Sequence, residues 1–142
     1  MKRIRRIIGV AATLGALTLG LALPATGTAN ATAYKKYTWN SWMSAGDCYL
    51  YPGASWTIYP NGTAQLDATV SSSDGDDAWL MWAHLKDANF AVLADIRVYG
   101  STSTKFVKGL PVANRRYRWF AEGRFDPALY PLIKHMSLNK HC

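Results

Sequence analysis

Three histidines, His84, His135 and His141, and a single glutamate, Glu122, are the residues of this chain best suited to proton transfer. His84 or His135 beside Glu122 and an arginine would supply an acid, a base and a cation. That set suits phosphoryl transfer of the kind small secreted ribonucleases perform. The competing reading is plainer: strand residues facing water, because no two histidines form a recognisable local motif. Other chemistries have less to stand on. There is no G-x-S-x-G elbow, no phosphate-cradling glycine loop and no H-E-x-x-H. Asp74, Asp76 and Asp77 could bind Ca²⁺ through clustered carboxylates. Trp79 then stands where the turn glycine belongs, and Leu85 where the closing glutamate belongs. A solvated connection fits that stretch better, so the sequence calls for no metal and no cofactor.

Aromatic rings are the stronger clue to binding. The six Trp, eight Tyr and four Phe all lie after residue 31. A core of this size cannot easily hide Trp39, Trp42, Trp82, Tyr49, Tyr51 and Tyr59 as well as the rest, so some rings reach the surface or line a barrel mouth. Trp82 is the most suggestive, because strand alternation turns it away from Trp79 and Leu85. The segment Arg115 to Phe120 mixes cations with rings. On a strand Tyr117 and Trp119 face one way and Arg116 and Arg118 the other. Tyr117 and Trp119 are binding candidates with Trp82, although a core role for the two rings competes. The partners such rings serve are an extracellular protein, a glycan or a small apolar ligand.

These residues have to be carried outside the cell. Lys2, Arg3, Arg5 and Arg6 precede an apolar run from Ile7 to Leu23; Pro24 and a small-residue stretch to Ala31 follow. Charge, grease and small residues in that order are a cleavable secretory signal over 1–31. Cleavage after Ala31 or Ala33 gives a start at Thr32 or Tyr34. The apolar run is at the short limit for a membrane span, and no Cys at the cleavage site offers a lipid anchor. Removal leaves 111 of the 142 residues as one domain, 32–142. Four of the sixteen Lys and Arg lie in the leader and none of the nine acids does, so net charge falls from +7 to +3. That modest charge makes nucleic acid an unlikely partner. Cys48 and Cys142 both remain. In an exported chain they pair as one bridge closing a loop of about 95 residues, or else link a dimer through Cys142; the single intrachain bridge is the simpler outcome.

The elements that must position all of this are strands, because the apolar period is two almost everywhere. Trp56, Ile58, Ala64, Leu66, Ala68 and Val70 share a face only if the turn between them is the three-residue loop Pro60-Asn61-Gly62. That loop pairs Ile58 with Ala64 and Trp56 with Leu66. A second hairpin, through Lys86 to Asn89, pairs Leu85 with Phe90 and puts Phe90, Val92, Ala94, Ile96 and Val98 on one face. Further strands are expected at Tyr37 to Met43, Thr104 to Lys108, Arg115 to Glu122 and about Leu132 to Leu138, with one helical turn at Ala128 to Tyr130. The fold class is all-β: an antiparallel meander of about six to eight strands, closed as a small barrel or a two-sheet sandwich.

Trp56-x-Ile58, Asn61-Gly62-x-Ala64, Ser73-Asp74-x-x-Asp77-x-Trp79 and the terminal Cys142 form a pattern that resembles small exported actinobacterial proteins of unknown function. The resemblance covers most of the chain after the leader and implies no particular chemistry. The sequence therefore reads as an exported binding domain using exposed rings, with a small secreted hydrolase as the alternative.

Overall fold

The parity argument for the first hairpin holds in a computed structural model, which describes residues 33–142. The leader expected over 1–31 lies outside them. Trp56 pairs with Leu66 and Ile58 with Ala64. The loop closes with Gly62 N–H donating to Tyr59 O at 3.0 Å, and Gly62 adopts φ +87°. A side chain there would also meet Phe125 O, 2.5 Å from its Cβ, so glycine is required twice over.

Eleven strands and one 3-10 helix follow in chain order: β1 (Lys35–Trp39), β2 (Met43–Ala45), β3 (Cys48–Leu50), β4 (Ala54–Ile58), β5 (Thr63–Ser72), β6 (Asp77–Lys86), β7 (Val92–Asp95), β8 (Arg97–Val98), β9 (Phe106–Leu110), β10 (Tyr117–Arg124), the helix (Pro127–Leu132) and β11 (His135–His141). They make two antiparallel sheets. The larger runs β1-β4-β5-β10-β8, with β3 on the far end of β5 and β2 beside β3. The smaller is centred on β6, which carries β9 and β7 along one side and β11 along the other. The sheets do not close into a barrel, and the chain is not a simple meander. It passes between sheets at β5–β6 and then at every connection from β7 to β11. The sandwich is the alternative that stands.

Inward alternation fills the space between the layers. The large sheet contributes Leu50, Trp56, Ile58, Leu66, Val70 and Trp119; the small sheet contributes Trp79, Met81, Leu85, Phe106 and Leu110. Cys48 and Cys142 are bonded, with Cα atoms 5.9 Å apart. The bridge therefore ties β3 of the large sheet to the residue after β11 of the small one. At the other end Lys35 Nζ donates to Tyr130 O and Ile133 O, both at 2.7 Å, so β1 is fastened to the end of the 3-10 helix. Asp126 caps that helix by accepting from Ala128 N–H at 2.9 Å.

The second hairpin differs from expectation. Leu85 pairs with Ala94 rather than Phe90, and the ladder shifts between Leu85 and Lys86. The cause is local. The Asp87 carboxylate accepts from Asn89 N–H at 2.8 Å and from Ala91 N–H at 3.0 Å. This builds a turn of its own, with Phe90 at φ +62° and exposed to solvent.

Candidate functional site

All three histidines lie on the outward face of the small sheet. Ala83 and Leu85 of β6 are buried inward, so Trp82, His84 and Lys86 face out. On β11, Met136 and Leu138 pack on the core, so His135, Ser137, Asn139 and His141 face out. His84 Nδ1 is hydrogen-bonded to Asp95 Oδ1 of β7 at 2.5 Å, with both side chains about a quarter exposed. The His135 ring is stacked on Phe90, centroids 3.9 Å apart and planes at 17°.

Glu122 is elsewhere. It sits on β10 opposite Gln65, on the outward face of the large sheet. The Glu122–histidine pair needed for ribonuclease-like chemistry is therefore not assembled. The histidine partner actually present, Asp95, was hidden in sequence by the hairpin shift. The expected register would have set Ala91, not Asp95, opposite His84.

The candidate rings separate in the same way. Trp82 faces outward and is half-buried, as alternation implies. Trp119 is in the core, and half-buried Tyr117 uses its hydroxyl to accept from Val112 N–H at 3.2 Å. Trp119 is closed off from solvent, whereas Tyr117 stays part-exposed. Other rings occupy the outward face of the large sheet. Trp42 is 60% exposed and packs 4.5 Å from Tyr51. The Arg116 guanidinium lies 4.7 Å over the Tyr51 ring. Two residues along, Arg118 makes a bidentate bond to Asp67 at 2.9 and 3.0 Å and lies 5.3 Å over Phe120, which is 53% exposed. Farther on, Arg124 covers Tyr99 at 4.6 Å. Rings and guanidinium groups thus alternate along one stripe following β10. The Arg118 hydrogen bond holds the Asp67 carboxyl below the usual carboxylate range against the opposing effect of burial, with the charges of Arg118 and Lys36 adding to it. Among the described residues no ligand-sized cavity interrupts either face.

The acidic loop gathers Asp47, Asp74 and Asp77, whose ligand atoms lie within 4.8 Å of one another. Its hydrogen bond and charge make Asp47 the main reason that the Asp74 carboxyl is raised above its ordinary value. Ser72 Oγ donates to Asp77 at 2.5 Å and accepts from Asp74 N–H at 3.1 Å. The cluster is knitted together by its own protons.

Residues 55–142 match the model of a family of unknown function (DUF6294). No curated protein and no solved structure matches the chain.

Proposed function

The chain belongs to that family of unknown function, and on this premise we propose that it is an exported domain that binds an anionic glycan along the β10 stripe. The carrying observation is the alternation of Trp42, Tyr51, Arg116, Arg118 and Phe120 on one open face. Sugar rings stack on exposed aromatic faces. Guanidinium forks take carboxylate or sulfate groups in a bidentate way, as Arg118 already takes Asp67. A flat stripe suits an extended polymer, whereas a small apolar ligand would need a cavity. Export fits the Cys48–Cys142 bridge, which persists in an oxidising compartment. Among the described residues no helix is long and apolar enough to cross a membrane.

A glycan array comparing uronate-bearing or sulfated chains with neutral ones tests the binding reading. Trp42→Ala and Arg116→Ala should each weaken binding about tenfold or more, as loss of central Trp and Arg contacts does elsewhere. Raising salt should weaken it further. Equal binding of neutral glycans, or variants that bind like the parent, would sink the idea. For export, N-terminal sequencing of the secreted protein should begin at Thr32 or Tyr34. A secreted form that retains Met1 contradicts the leader.

A further inference from the structure

The outward face of the small sheet, on the side of the sandwich away from the stripe, holds a serine, a histidine and an aspartate in one cross-strand row. Asp95 of β7 lies opposite His84 of β6, and Ser137 of β11 lies opposite His84 on its other side. An ionised carboxylate only accepts, so the 2.5 Å bond to Asp95 makes Nδ1 the protonated nitrogen of His84. The lone pair is then on Nε2. The two ring nitrogens lie on different flanks of the imidazole, so a ring anchored through Nδ1 to β7 turns Nε2 outward and toward β11. Directly opposed residues have Cβ atoms about 4.5–5.5 Å apart. That register sets Ser137 on the β11 flank of His84, the flank that carries Nε2. The Ser137–His84 hydrogen bond is not formed at rest, and such bonds commonly tighten only when substrate arrives.

The row also has walls. On one side Trp82 stands opposite Asn139; on the other Lys86 stands opposite His135, whose ring is covered by Phe90. Aromatic rings thus flank the row at both ends, and its Asp95, His84 and Ser137 side chains are half-buried.

We propose that this row is an esterase site, with Ser137 as nucleophile, His84 as general base and acid, and Asp95 as the residue that positions His84. Ser137 Oγ attacks the ester carbonyl carbon as its proton passes to His84 Nε2. The bond to the leaving oxygen breaks, and His84 returns the proton to release the alcohol. Water then attacks the acyl-serine, giving its proton to His84; the acid departs and Ser137 regains a proton. Ester and water become acid and alcohol, with no other reactant. The Asn139 side-chain amide, next outward along β11, is the donor placed to meet the developing oxyanion. Rings at both ends favour an ester with an apolar or aryl group.

A fluorophosphonate probe tests this on the full chain. Intact mass and peptide mapping should find one phosphonyl adduct, on Ser137, formed with loss of fluoride. Ser137→Ala should abolish it, and His84→Gln should slow it at least a hundredfold with an unchanged near-ultraviolet dichroism spectrum. Labelling rate against pH should follow one titration in the parent and a displaced one in Asp95→Asn, which a merely structural Asp95 would not cause. Folded protein with no adduct at Ser137 overturns the site. So does an adduct that forms equally fast in His84→Gln.

Discussion

Replacing Cys48 and Cys142 with alanine should lower stability by about 4–5 kcal/mol, the chain-entropy value for a loop of this length. The bridged residues are 94 apart in sequence, so the link restrains nearly all of the described unfolded chain. It also acts where no backbone ladder joins the two sheets. Cys48 belongs to β3, which pairs with β2 and β5; Cys142 follows β11, whose paired neighbour is β6. The two sheets otherwise meet mainly through side-chain packing. Cys48 is fully buried, so alanine also loses contacts in the core. A domain of this size typically has only about 5–15 kcal/mol of stability in hand, so this one change removes a large part of it. Guanidinium unfolding of parent and double variant would measure the difference. A loss below about 1 kcal/mol would show that the loop-closure argument fails here.

Legibility in the sequence followed the physics of burial. A one-residue slip in a sheet with one buried face exposes every apolar side chain, so the Tyr59–Thr63 loop could be placed by parity alone. The same constraint turned Trp82 and His84 outward and Arg116 and Arg118 away from Trp119. It failed at Phe90 because a bulge breaks parity. The Asp87 carboxylate organises a local turn that no apolar pattern reports. Asp95 was lost with it, and so was the His84 partnership. The choice between barrel and sandwich was hidden for a different reason. It depends on which strands cross between layers, and alternation along each strand is the same in both. Short strands such as β3, and the last two residues of β5 at Ser71 and Ser72, carry too few apolar positions to show a period. The stripe joins Trp42, Tyr51 and Arg116, which sequence separation keeps apart and only the β3–β5–β10 pairing brings together.

Trp79→Ala should cost about 3–5 kcal/mol, as emptying a large aromatic site does. The indole is fully buried at the centre of the small sheet, and its Nε1–H donates to Tyr49 O of β3 at 3.0 Å. It therefore fills the core and supplies a hydrogen bond between the sheets. Trp56 offers the internal control. It is equally buried and packs edge-on to Phe106, centroids 5.1 Å apart, yet its Nε1–H finds no acceptor among the described residues. Phenylalanine at either position removes a similar volume. At Trp79 it also deletes a made hydrogen bond, whereas at Trp56 it deletes a donor whose burial already costs about 1–3 kcal/mol. Trp56→Phe should consequently be the milder change, by about 1 kcal/mol or more. Urea unfolding of the two phenylalanine variants compares them directly. Equal losses would mean that the Trp79–Tyr49 bond adds nothing to the joining of the sheets, leaving packing and the disulfide to hold them together.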